Sequence, residues 1–186
     1  FKTKSSHPLT LTYVVGGTGV EKDIGVKIAE SLASKIINHE LVLNLVAGTR
    51  LGIRQYFEDA IKKSQLKDML GGAVKIIYGL DKKSYFSAFS EILHTTDILW
   101  TKPSELSFYA GLGLPIIIAP PVGAHERFNK EWLEHAGAGL VQGKPEYLED
   151  WLSYLLEDGR LAEAAWHGFT KAPATGTYEI EKTVLR

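Results

Sequence analysis

Apolar and polar positions follow two alternating rhythms along the chain. Residues 9–15 (LTLTYVV) form a β-rich apolar run that ends on Gly16-Gly17-Thr18-Gly19. Directly after it, Ile24, Ile28, Leu32 and Ile36 recur every four residues, which predicts one face of a helix. Residues 41–47 (LVLNLVA) predict a second buried strand, closed by Gly48-Thr49-Arg50, and residues 53–66 predict a helix. Residues 73–78 (AVKIIY) predict a third strand, and Phe86, Phe89, Ile92 and Leu93 give residues 85–94 helical spacing.

The same alternation continues to the end. Residues 98–100 are short and apolar, and Pro103 with Ser104 then opens a helix, because proline suits a first turn. Residues 116–119 predict a fifth strand, stopped by Pro120-Pro121, and residues 139–141 a short last one. Helices are expected over 128–135, 147–157, 161–167 and in the tail at 175–185. Most strands are continuous apolar runs, the mark of a parallel sheet covered on both faces. Without an internal repeat or linker, residues 1–186 predict a single α/β domain, a doubly wound, mostly parallel, Rossmann-like sheet. Ligands of such sheets lie beyond the carboxyl ends of the strands, here residues 16–20, 48–52, 78–86, 101–105 and 120–129.

Composition narrows the chemistry. Lysine and arginine number 21 against 22 acidic residues, a net charge of −1, so nothing calls for nucleic acid as a partner. With no cysteine, disulfides, thiolate metal sites and cysteine nucleophiles are excluded. The six histidines are scattered, no D-x-D occurs, and no metal-ligand cluster is expected. Apolar runs are too short to span a bilayer, and a cytoplasmic location is expected.

The turns after the strands offer candidate donors. Gly16 to Gly19 would let a backbone approach a phosphate or sugar closely, or serve only as a tight turn. A dinucleotide fingerprint is disfavoured, because Lys22 stands where the third glycine belongs and the second strand ends on Val46-Ala47-Gly48. No P-loop motif is present. Arg50 would aim a guanidinium suited to a diphosphate at the ligand side of the sheet, or be a solvated surface residue. In the segment TKPSELSFYAGLGLPIIIAPPVGAHERFNK, the helix start at residues 103–105 offers free amides to an anion. His125, Glu126 and Asn129 together supply donors and acceptors for a polyhydroxylated ligand.

Those residues resemble the C-terminal domain of GT-B-fold glycosyltransferases, most like glycosyltransferase family 28. The resemblance begins in YFSAFSEILHTTD at residues 85–97 and runs through residues 102–115, which end in Gly113-Leu114-Pro115. It closes on His125-Glu126-x-x-Asn129 and on EHAGAG at residues 134–139. It implies a donor site for a nucleotide diphosphate sugar, usually UDP-linked, and no required cofactor. By motif position, backbone near Phe86 would contact the base. Ser104 and Glu105 at the helix start, with Gly16, Gly17, Thr18 and Arg50, would hold the diphosphate. His125, Glu126 and Asn129 would face the sugar. The family's usual ribose-binding glutamate, five residues before the glycine of GLP, is replaced here by Phe108.

In this fold the catalytic base and most acceptor contacts come from an N-terminal domain. A chain opening on Phe1 is therefore expected to be a fragment lacking that half and inactive alone. Any peripheral membrane contact is assigned to the missing half. The expected function is donor binding for hexosyl transfer to an unknown acceptor. The alternatives are a GT-B-fold sugar-nucleotide epimerase and a degenerate domain with a structural or binding role.

Overall fold

The computed structural model describes residues 7–16, 19–102, 106–172 and 176–184. Among these, six parallel strands form one sheet: β1 (Leu9–Val14), β2 (Leu41–Gly48), β3 (Val74–Tyr78), β4 (Ile98–Thr101), β5 (Ile116–Ile118) and β6 (Gly139–Val141). Their order is β3-β2-β1-β4-β5-β6. The chain winds outward first to one side of β1 and then, from β4, to the other. The order therefore reverses between β1 and β4, where doubly wound sheets place their ligands.

Alternation along each strand divides the core in two. Leu11 and Tyr13 of β1, Leu43 and Leu45 of β2, and Ile98 and Trp100 of β4 face one side. There they meet α1 (Lys22–Ser31), α2 (Ala33–Ile37), α3 (Leu51–Lys63) and α7 (Leu148–Glu157). Val46, Leu99, Ile116 and Ile118 face the other side, under α4 (Lys82–Leu93), α5 (Leu106–Gly111) and α6 (Ala124–Ala136). Because both faces are covered, the strands read as unbroken apolar runs. The second face carries the polar exceptions. Asn44 Nδ2 donates to Thr12 Oγ1 at 3.0 Å, and Thr12 Oγ1 lies 2.7 Å from Thr96 Oγ1, all three residues being buried. Helices α8 (Arg160–Lys171) and α9 (Gly176–Val184) complete the described chain.

The helix expected through Ile24, Ile28, Leu32 and Ile36 is two helices. Leu32 leaves helical geometry at φ −96°, ψ 10°, and separates α1 from α2. The spacing nevertheless survives the break, since Ile28, Leu32 and Ile36 are all fully buried. One side-chain bond ties α1 to α3: the Tyr56 hydroxyl donates to Asp23 Oδ1 at 2.6 Å. That bond, with some burial and the nearby negative charge, pushes the phenol up to about 12. A raised acid favours the fold in its neutral form, so the stabilisation is complete below the ordinary value of 10.0 and lost as pH rises towards 12. Tyr56→Phe should cost about 0.5–1 kcal/mol at neutral pH, the low end for a solvent-exposed bond. In urea titrations of both proteins, that difference should shrink across the same alkaline interval.

Candidate functional site

At the carboxyl edge of the sheet a cleft of about 420 Å³ opens beside β1 and β2. Val14, Val15 and Gly16 end β1 on its floor, and Ala47 to Arg50 form the wall after β2. Lys82, Tyr85 and Phe86 of α4, with Tyr109 of α5 and Thr101 of β4, close the opposite side.

Aromatic packing builds that second wall. Tyr85 stacks on Phe89 at 5.6 Å between ring centroids, and Phe89 meets Tyr109 edge-on at 6.1 Å. Phe89 is buried, so it anchors its two neighbours, while Phe86 stands 58% exposed at the rim. The position of α4 is set by its start. Asp81 accepts from the Ser84 amide at 2.7 Å, and the Ser84 hydroxyl accepts from the Asp81 amide at 3.1 Å. The Ser84 amide, and the Ser84 hydroxyl donating to the same oxygen at 2.8 Å, hold the Asp81 carboxyl below its usual range. The reciprocal cap starts the helix at Lys82, three residues before the pattern of aromatics.

Three expected site residues meet in this cleft: Gly16, Arg50 and Phe86. The Arg50 guanidinium reaches across to the glycine turn, with Nη1 lying 3.0 Å from where a Cβ on Gly19 would stand. Gly17, Thr18, Ser104 and Glu105 lie outside the described residues. His125, Glu126 and Asn129 do not line the cleft. They stand in the first turns of α6, beyond β5 and two strands from β1. Glu126 Oε2 accepts from the Val122 amide at 2.6 Å, which ties the carboxylate to the entry of its own helix. Helix α6 begins at Ala124, four residues before the expected start, so all three residues are helical. Phe108 is 60% exposed on α5 and packs edge-on against Tyr109 at 5.4 Å between ring centroids.

One pair at this edge escaped the sequence reading. Lys102 Nζ lies 3.6 Å from Glu21 Oε1, with the two side chains only 5% and 10% exposed. Burial raises the Glu21 carboxyl above its ordinary value, the Lys102 ammonium opposes this, and the like charge of Glu126 adds to it. Neither residue belongs to an apolar rhythm, and 81 positions in sequence separate them; the only signal is that each adjoins a strand-end turn. Among the described residues, no group of three or more His, Asp or Glu is placed to hold a metal ion, and no helix is long and apolar enough to cross a membrane.

Comparison with known proteins bears on the fold. The chain is similar to the processive diacylglycerol beta-glucosyltransferase of Bacillus pumilus (strain SAFR-032), with 25% identity over 164 residues, covering 86% of this chain and 38% of that protein. The enzyme of the same name from Bacillus subtilis (strain 168) is 23% identical over 156 residues, 83% of this chain and 37% of its own length. The chain thus spans well under half of these relatives. Among solved structures, MurG of Acinetobacter baumannii superposes with a TM-score of 0.69 at 16% identity, over 98% of this chain and 50% of that one. The UDP-GlcNAc 2-epimerase of Neisseria meningitidis, solved bound to UDP-GlcNAc, gives 0.64 at 16% identity, over 98% and 46%. The expected fold is borne out: it is that of the C-terminal half of a GT-B protein, and the relatives are most like glycosyltransferase family 28. The model of a domain of unknown function, DUF6938, matches residues 2–186, and the chain belongs to that family.

Proposed function

We propose that this domain binds the donor of a glycosyltransferase that moves a hexose from a nucleotide diphosphate sugar, UDP-linked, to an acceptor held by another domain. The observation that carries this reading is the cleft at the point where strand order reverses. It joins a glycine turn and an arginine, suited to a diphosphate, to an aromatic wall with Phe86 exposed at its rim, suited to a base. Curated relatives that are glucosyltransferases by name support the same reading. Backbone at Phe86 contacts the base, Gly16, Gly17, Thr18 and Arg50 hold the diphosphate with Ser104 and Glu105, and His125, Glu126 and Asn129 face the sugar from α6. The catalytic base and acceptor contacts belong to an N-terminal domain, and the donor is met in the cytoplasm.

Thermal shift of the domain with UDP, GDP, dTDP and ADP sugars tests the reading. Selective stabilisation by the UDP sugar is expected. Arg50→Ala should weaken it by about tenfold in Kd, the size of one lost charge-assisted contact. If no nucleotide sugar shifts the melting temperature, the donor reading fails. A UDP-sugar epimerase is the second reading, favoured by the likeness to an epimerase fold. In a protein that joins this domain to its N-terminal partner, release of free UDP on adding an acceptor supports transfer, whereas interconversion of the sugar without UDP release supports epimerisation.

A further inference from the structure

The buried Lys102–Glu21 pair sits at the same reversal point as the cleft. Glu21 follows the glycine turn after β1, and Lys102 is the first residue after β4. The stem of Lys102 runs directly beneath Gly16: a Cβ built on Gly16 would strike its Cδ and lie 2.9 Å from its Cε. The absence of a side chain at Gly16 is what lets the lysine pass from β4 under the floor of the cleft. Its ammonium therefore ends close below the turn, out of water, where a charge is screened far less than at the surface.

The pair is also incompletely matched. Its 3.6 Å separation exceeds the ~2.7–2.9 Å of a charge-assisted hydrogen bond. Among the described residues, the buried Glu21 Oε2 has no hydrogen-bond partner. The raised carboxyl of Glu21 is consistent with a counter-ion held too loosely to repay its burial. A fully engaged structural ion pair would satisfy both oxygens. Here one carboxylate oxygen is left over, and the stem of the lysine lies against Gly16, which itself lines the cleft.

We infer that Lys102 is a positioning residue for the diphosphate of the bound nucleotide, its ammonium held beneath the glycine turn by Glu21 and shared with the incoming anion. The inference rests on the donor reading above. Glu21 keeps the lysine folded under the turn while the cleft is empty. When the diphosphate arrives, its charge competes with the carboxylate for the ammonium, so binding and the Lys102–Glu21 contact are coupled through one side chain.

Isothermal titration with UDP and with uridine, at low and high salt, tests this on the whole chain. The double variant Lys102→Met/Glu21→Gln removes both charges at nearly constant shape and avoids stranding a buried ion. Its affinity for UDP should fall about tenfold while that for uridine stays level, because the nucleoside carries no diphosphate. The single variant Glu21→Gln should bind UDP about threefold more tightly, with the gain diminishing at high salt. Unchanged UDP affinity in the double variant overturns the inference and leaves the donor reading standing. Equal losses for UDP and uridine overturn it as well, since they mark a general packing defect. If the wild-type chain binds neither, the donor reading falls and takes this inference with it. Should the double variant fail to fold, Glu21→Gln decides alone: unaltered UDP affinity is the overturning result.

Discussion

Trp100→Ala is expected to lower the stability of the domain by about 3–5 kcal/mol, the range for emptying a buried aromatic site. Trp100 is fully buried in β4 at the centre of the sheet. Its ring meets Tyr13 of β1 edge-on at 6.0 Å and Trp151 of α7 at 5.5 Å. The indole Nε1 donates to Gln142 Oε1 at 2.9 Å, so truncation also removes the partner of a side chain beyond β6. Three layers of contact are lost together: strand to strand, sheet to helix and sheet to the last turn. Urea unfolding should show a large drop in midpoint with little change in slope. A loss under about 1 kcal/mol would mean that α7 collapses into the space, and Trp151 is the residue placed to do so.

The second large effect is expected at Gly79. A Cβ there would lie 2.5 Å from Tyr85 Cα and would also overlap the Tyr85 backbone nitrogen. Backbone cannot rotate away as a flexible side chain can, so Gly79→Ala must shift the start of α4 itself. We expect a loss of about 3 kcal/mol, towards the upper end of overpacking effects. Tyr85 and Phe86 would leave the cleft wall with the helix, so any nucleotide affinity should fall as well. Gly52 provides the internal control. It stands in the first turn of α3 with nothing within 4 Å of an added Cβ. Gly52→Ala should therefore be stabilising, by up to about 1 kcal/mol. Denaturant midpoints that moved alike in the two variants would show that contact with Tyr85 is not what requires glycine at position 79.

Much of the architecture was legible because burial on both faces writes itself into sequence. The runs at 41–47 and 116–119 have no polar alternation, and all six expected strands are present. Helix boundaries were less legible where capping breaks the usual residue rules. Asp81 and Ser84 form a reciprocal cap with serine in the place usually held by Glu or Gln, so α4 starts earlier than its aromatics suggest. The bend at Leu32 left no mark at all, since a single distorted residue preserves the four-residue spacing on either side. At the site, Gly16 and Arg50 were legible as residues in strand-end turns, and Phe86 through the family resemblance. Tyr85, Tyr109 and Lys82 were not, because their part in the cleft depends on how α4 and α5 pack together. The Lys102–Glu21 pair was the least legible. It depends on two distant turns meeting, and on a glycine between them that reads in sequence only as a turn residue.

The hydrogen-bonded group of Thr12, Asn44 and Thr96 bears on how the chain finds this sheet and no other. Parallel strands rich in Val, Leu and Ile would bury almost as much apolar area if β2 slid along β1 by two residues, a shift that keeps every side chain on its original face. Hydrophobic contact alone therefore distinguishes the alternatives poorly. In the observed register Thr12 lies opposite Asn44. A slide that set Asn44 opposite Val14 would part them and leave a buried amide facing hydrocarbon, at a cost of about 1–3 kcal/mol, whereas the opposite slide would set it beside Thr10. The group thus acts as an alignment key. It adds little to the strength of the sheet, but it penalises the alignment that sets Asn44 opposite Val14 and carries Arg50 beyond the end of β1.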